Sequence, residues 1–306
     1  MAELLLEKGY AVSGLVRDPG SLGSAEHLRG QIELVEGDLL VPDTLHAAIE
    51  RLRPREVYHL AAPSFVPDSW ERPRETMRAI VGSSAAILEA VRAIDDGTRV
   101  FVASSGSIFG EAPESPQRED TPCRPTTPYA VAKLAAHQLL GLLRERDGLH
   151  ASSGIAFNHE SERRPEQFVT RRITRGAAAI KLGLQEDLSL GSLDAIRDWC
   201  FAGDVVEGAW LMLQRDQPGD YVLASGRPHT VAELASTAFA CVGLDAERYL
   251  RVDGARVRAA EGTPNVGDPT RAHEQLGWHP RVSFEELVAR MVEADLRALS
   301  EAPHPA

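Results

Sequence analysis

A serine, a tyrosine and a lysine carry the most legible chemistry in this chain. Ser105 lies in a run of small residues, Ser104 to Ser107, and Tyr129 and Lys133 stand four apart in Tyr129-Ala-Val-Ala-Lys133. Residues four apart on a helix share one face, one turn over the other. An ammonium beside a phenol favours the phenolate, so Lys133 is expected to draw the Tyr129 pKa down from about 10 toward neutrality. A hydroxyl at a strand end, with such a pair on the next helix, suits proton transfer coupled to hydride movement at a carbinol carbon. Taken alone, the Tyr-Lys spacing also occurs on solvated helix faces. Its setting decides.

That setting is a strand, a turn and a helix. Residues 100–103 form a continuous apolar run, as in a strand buried on both faces of a parallel sheet. The small residues 104–107 break it, a Pro-rich loop follows, and 134–145 continue as a helix. Upstream, the pattern predicts a helix over 1–8 closed by Gly9-Tyr10, and strands over 11–16, 32–35 and 56–60. A helix over 44–52 is expected to be capped by Asp43, and a long helix to cover 74–94. Such alternation gives an α/β doubly wound parallel sheet, Rossmann-like in plan.

The second half is less regular. It predicts strands over 150–157, 188–191 and 221–224, and helices over 166–182, 231–241 and 284–299. Asp204 is expected to cap a further helix over 205–213. Residues 1–155 therefore form a dinucleotide-binding domain, and 156–306 form mainly a smaller substrate-binding region with segments returning to the sheet. Folds of this kind usually open on a strand and Gly-rich turn that seat a pyrophosphate on a helix N-terminus. No G-x-x-G-x-x-G occurs here, and the first element is a helix. The expectation is a sheet missing its first strand and loop, with an open edge.

Composition narrows the partners. The chain has 306 residues and a net charge of -12, which argues against nucleic acid or an anionic membrane as the main partner. It shows no apolar run of membrane-spanning length and no secretory leader pattern. Cys123, Cys200 and Cys241 are far apart and lack metal spacing, as expected of reduced thiols in a cytoplasmic protein. The ten His residues are scattered, and no metal site is expected. One basic island stands out: Arg163, Arg164, Arg171, Arg172, Arg175 and Lys181, with Glu166 the only acid among them. It reads either as a solvated helix face or as a diphosphate clamp joined by Arg197 and Arg258.

Several longer segments resemble the extended short-chain dehydrogenase/reductases, and within them the GDP-mannose 4,6-dehydratases. These include Ala2 to Tyr10, Tyr58-His-Leu-Ala-Ala62, Pro128 to Lys133, Phe157-Asn-His-Glu-Ser161, Phe168 to Arg171, Leu190 to Trp199, Trp210 to Gln214 and Leu276-Gly-Trp278. The resemblance implies an internal redox cycle on GDP-mannose, yielding GDP-4-dehydro-6-deoxy-mannose with no net use of NADP. It implies that Ser105 holds O4, that Tyr129 takes the hydroxyl proton and that Lys133 supports both Tyr129 and the nicotinamide ribose. On the cofactor side it places Arg17, Asp38, Leu39, Leu60, Ala61, Ala62, Ser64, His159 and Arg164. On the nucleotide-sugar side it places Asn158, Lys181, Arg197, Arg258 and Glu261. It also implies a homo-oligomer, built through helices of the cofactor domain.

Three departures accompany the resemblance. The Gly-rich loop is absent. Ser107 stands at the position of the family's acid/base carboxylate, and an uncharged hydroxyl is a poor base for a carbon acid. Glu111 is close to it in sequence. Asp18 follows Arg17 where a second Arg is common, and a carboxylate there repels a 2'-phosphate and points to NAD. Two other readings therefore stand beside the dehydratase. One is a reductase or epimerase of a 4-keto nucleotide sugar, and the other a non-catalytic nucleotide-sugar-binding homologue.

Overall fold

The computed structural model describes residues 1–94, 97–253 and 263–301. The chain runs α1 (Ala2–Glu7), β1 (Ser13–Val16), β2 (Glu33–Glu36), α2 (Pro42–Leu52), β3 (Glu56–His59), α3 (Asp68–Glu71) and α4 (Pro73–Met77). A π-helical turn at Arg78–Gly82 leads into α5 (Ser83–Ile94), followed by β4 (Arg99–Ala103) and α6 (Pro128–Asp147). Next come β5 (Ala151–Ala156), β6 (Asn158–Glu160), α7 (Val169–Lys181), β7 (Leu188–Leu190), β8 (Ile196–Phe201) and α8 (Ala202–Gln214). The remaining elements are β9 (Asp220–Leu223), β10 (Pro228–Thr230), α9 (Val231–Cys241), α10 (Ala246–Tyr249), β11 (Leu250–Val252), α11 (Thr270–Leu276) and α12 (Phe284–Glu301).

The central sheet has the order β3-β4-β5-β9, all parallel. Its register runs straight across: His59 faces Val102, Val102 faces Ser153, and Ser153 faces Asp220. The period-2 alternation of β4 explains why the strand is apolar throughout. Val100 and Val102 pack with Leu45, Ile49, Leu88 and Leu140 on one face. Phe101 packs with Met212, Leu213 and Trp278 on the other. β9 comes from the second half of the chain and completes this sheet. β1 and β2 pair in parallel as a separate sheet, and no strand among the described residues joins it to β3. Among the described residues β1 and β3 thus each keep one edge unpaired.

The second half builds its own core. α7, α9 and α12 surround Trp199 and Phe284, whose rings stack at 5.9 Å. The smaller sheet β10-β8-β6 carries the 158–161 and 197–199 motifs side by side, with Asn158 opposite Trp199.

Three local expectations are corrected. The long helix over 74–94 is interrupted by the π turn, where the Ser83 and Ser84 hydroxyls donate to the Ala79 and Ile80 carbonyls at 2.6 and 2.7 Å. Side-chain donors satisfy carbonyls that the wider turn would otherwise leave open. Asp43 is not a cap, because the helix begins one residue earlier on Pro42, whose fixed φ suits the first turn. Asp204 also lies inside its helix, since its carboxylate accepts from the Arg281 and Val282 amides at 2.9 and 3.1 Å.

Candidate active site

The C-terminal end of β4 leads into the candidate serine turn. Ser105 caps a short 3-10 turn, Gly106–Ile108, and its Oγ accepts from the Ser107 amide at 3.2 Å. Thr127 caps α6 with its side chain on the Ala130 amide, and Pro128 opens the helix. That start places Tyr129 and Lys133 on the first turns, facing inward. Tyr129 is 8% exposed and Lys133 is 6% exposed. Lys133 Nζ donates to the Ala103 carbonyl at 2.7 Å and sits 5.9 Å from the centre of the Tyr129 ring. The Ser105 side chain lies close enough to the Tyr129 hydroxyl to favour its ionised form. Ser105, Tyr129 and Lys133 therefore converge on one point at the sheet end.

The electrostatics differ from the sequence expectation. Burial raises the Tyr129 pKa above 10, and the Ser105 side chain and the Arg164 cation offset only part of that rise. Burial also lowers Lys133 from 10.5 to about 8. Desolvation is thus the largest influence on Tyr129, and it works against ionisation, opposite in sign to the effect expected from Lys133.

The other candidates divide by place. Leu60, Ala61 and Ser64 are exposed beyond the end of β3, and Ala62 packs near Tyr129. Asp38 accepts from the Leu40 amide at 2.8 Å, while Leu39 leans on the core between α2 and α5. Arg17 is exposed at the end of β1, and the neighbouring Asp18 carboxylate accepts from the Gly20 amide at 2.7 Å. Asn158 Nδ2 donates to the Asp198 carbonyl at 3.2 Å, and His159 Nδ1 lies 2.9 Å from the Phe157 carbonyl oxygen. Arg197 neighbours Asp198 on β8, and Lys181 is exposed at the last position of α7. Arg258 and Glu261 lie outside the described residues. Ser107 is half-buried on the turn beside Ser105, whereas Glu111 is exposed after Gly110. Gly110 has φ +50°, and a side chain there would run into the Arg124 carbonyl.

The basic island is not a free clamp. Arg163 pairs with Glu3 at 2.8 Å, Arg164 with Glu160 at 3.0 Å, Arg171 with Asp295 at 2.7 Å and Arg175 with Glu166 at 3.1 Å. Arg172 donates to the Ser189 carbonyl. Three of those acids sit on other elements, so the charge balance was hidden in the linear sequence.

Sequence reasoning also missed Asp198. It is fully buried, and its carboxylate accepts from the Ser225 amide and hydroxyl, the Gly226 amide and the Gly267 amide at 2.6 to 3.3 Å. The same region reaches the Gly106–Ile108 turn, because Asn265 Nδ2 donates to the Gly106 carbonyl at 3.0 Å. An unsatisfied buried donor costs about 1–3 kcal/mol. Asp198→Ala strands three amides and should lower unfolding stability by about 4 kcal/mol in a denaturant titration. Asp198→Asn, which keeps one acceptor oxygen, should lose about half as much.

The family model and the sequence relatives agree on one family. Residues 1–291 match the family model described as GDP-mannose 4,6 dehydratase. The chain is 43% identical to GDP-mannose 4,6 dehydratase 1 of Arabidopsis thaliana over 310 residues, covering 97% of this chain and 86% of that protein. It is 37% identical to the Homo sapiens GDP-mannose 4,6 dehydratase, covering 99% of this chain and 90% of that one. Among solved structures, the Thermus thermophilus UDP-glucose 4-epimerase in complex with NAD is similar, with a TM-score of 0.83 and 26% identity over 96% of this chain and 94% of that one. RMD from Pseudomonas aeruginosa complexed with NADPH has a TM-score of 0.81 and 25% identity over 94% of this chain and all of that one.

Proposed function

Because the chain belongs to the GDP-mannose 4,6-dehydratase family, we propose that it converts GDP-mannose to GDP-4-dehydro-6-deoxy-mannose with a resident nicotinamide dinucleotide. The observation that carries this reading is the convergence of Ser105, Tyr129 and Lys133 at the end of β4. The residues present suit the nicotinamide end of such a cofactor. Ser104 Oγ is buried there without a protein partner, and Leu60 is 42% exposed beside Ala61 and Ala62. Arg17 would take the 2'-phosphate of NADP, with Asp18 the feature that favours NAD. Asp38, Leu39, Ser64, His159 and Arg164 complete the cofactor side.

The bound dinucleotide supplies hydride uptake at C4 and hydride return at C6. Ser105 orients the sugar O4, and Tyr129 Oη takes the C4 hydroxyl proton as hydride departs. Lys133 stabilises by its charge the phenolate form of Tyr129 that accepts this proton. The resulting 4-ketone acidifies C5-H, and removal of that proton, with a proton delivered to the departing C6 hydroxyl, releases water and leaves the C5–C6 enone. Asn158, Lys181 and Arg197, with Arg258 and Glu261, would hold the nucleotide sugar. The exposed apolar residues Met77, Val131 and Leu142 on α4 and α6 suit a homo-oligomer contact, and a cytoplasmic setting fits the three free thiols.

Ser107 favours a second reading. A reductase or epimerase of a 4-keto nucleotide sugar needs Ser105, Tyr129 and Lys133 but no C5 base. One experiment separates the two. GDP-mannose with substoichiometric NADP should give many equivalents of 4-keto sugar per NADP, with no build-up of absorbance at the NADPH band. Stoichiometric NADPH consumption with a 4-keto sugar, and none of that turnover with GDP-mannose, would establish the second reading instead. Nucleotide-sugar binding without turnover of either substrate would leave a binding protein.

A further inference from the structure

Glu160 ends β6 and is 2% exposed, yet the proposed reaction gives it no role. Its Oε2 lies 3.0 Å from Arg164 Nε and accepts from the Thr170 hydroxyl at 2.8 Å. Burial pushes this carboxyl up to about 7, against the downward pull of Arg164 and Thr170. A carboxylate kept there at such a desolvation cost is weak evidence for stability and points to a task.

The task is visible in what Glu160 holds. The Arg164 guanidinium lies over the Phe168 ring, 3.5 Å from its centre. Phe168 in turn meets Phe65 edge-on at 5.5 Å, and Phe65 directly follows the 60–64 segment beyond β3. Phe168 thus fixes the plane of the guanidinium, and the Glu160 carboxylate, 3.0 Å from Nε without a hydrogen bond to it, anchors its charge. Neither Nη group has a protein acceptor among the described residues. The result is a guanidinium held in plane by Phe168 and in place by the Glu160 charge, next to Tyr129, whose pKa its charge lowers. Planar forks suit phosphate oxygens.

We propose that Glu160 is a positioning residue for cofactor binding, holding Arg164 so that both Nη groups meet a phosphate of the dinucleotide. This rests on the reading that the chain binds a nicotinamide dinucleotide. Glu160 touches neither cofactor nor sugar, and it acts through Arg164.

The test is a fluorescence titration of the whole protein with NADPH, without sugar. Glu160→Gln keeps the shape and an acceptor for Thr170 but removes the charge, and it should weaken the Kd about tenfold. Arg164→Ala should weaken it at least as much. The double variant should bind like Arg164→Ala alone, because Glu160 has nothing left to position. In turnover assays Glu160→Gln should raise KM for the cofactor and leave kcat at saturation within about twofold. Should Glu160→Gln fail to fold, Thr170→Val removes one hold on Glu160 and should weaken NADPH by about threefold. Wild-type affinity in the folded Glu160→Gln or Thr170→Val variant overturns the inference, as do losses that add in the double variant. A wild-type chain that binds no dinucleotide overturns the functional reading and this inference together. Wild-type binding with an unaffected Glu160→Gln overturns the inference alone.

Discussion

Ser107→Glu is expected to raise 4-keto sugar formation from GDP-mannose by about 10²-fold or more. A positioned general base contributes about 10²–10⁴ to proton abstraction, and a serine hydroxyl is far too weakly basic to supply that near neutrality. Position 107 is suited to the change. It is half-buried on the same turn as Ser105, and its amide, not its side chain, makes the bond that shapes the turn. A carboxylate there would start one turn residue away from the group that orients O4. The direct readout is exchange of the C5 hydrogen with solvent deuterium, which should speed up in parallel with product formation. Faster exchange without faster product would place the remaining barrier at water loss from C6. No change in either, with NADPH affinity intact, would mean that C5 deprotonation does not run through position 107. Glu111 is then the next residue to replace, although it is exposed beyond Gly110.

What the sequence disclosed follows from how local each signal was. The strand, turn and helix from Arg99 to Lys133 are contiguous, and their apolar run and small-residue break have no competing explanation. The helix over 231–241 was readable for the same reason, and its start is locally fixed by a capping box between Thr230 and Glu233. Signals that depend on distant partners were lost or misread. Asp204 looks like a helix cap until Arg281 and Val282 come to rest on its carboxylate. The arginines after Ser161 look like an anion clamp until Glu3 and Asp295 arrive from the two ends of the chain. Glu160 was visible in the Phe157 to Ser161 motif, but its hold on Arg164 needed the turn between them. Strands of three residues, such as β10 and β11, carry too few side chains for any period to emerge.

Tyr129→Phe is expected to lower kcat about 10³-fold while leaving Kd for NADPH and GDP-mannose within about threefold. The substitution is conservative for the fold, because the ring packs on Ile80, Ala132 and Ala136 and only the hydroxyl is lost. The reaction needs that oxygen as a proton acceptor, and burial makes the phenol proton hard to remove. This sets a pH dependence with a definite sign. Below about pH 8 Lys133 is an ammonium but Tyr129 remains protonated, so the rate should climb as pH rises. Above about 8 Lys133 loses its proton and with it the charge that favours the phenolate, so the rate should turn over. Stability moves the other way in that window. The folded Lys133 pKa lies below its unfolded value of 10.5, so the unfolded chain holds the extra proton and the fold gains stability as pH rises from about 8 to 10.5. A falling rate alongside rising stability separates loss of the ammonium from alkaline unfolding. Tyr129→Phe should keep that stability gain while its small residual rate loses the ascending limb. If Tyr129→Phe turns over GDP-mannose at the wild-type rate, Tyr129 is not the proton acceptor, and the convergence at the end of β4 is packing alone.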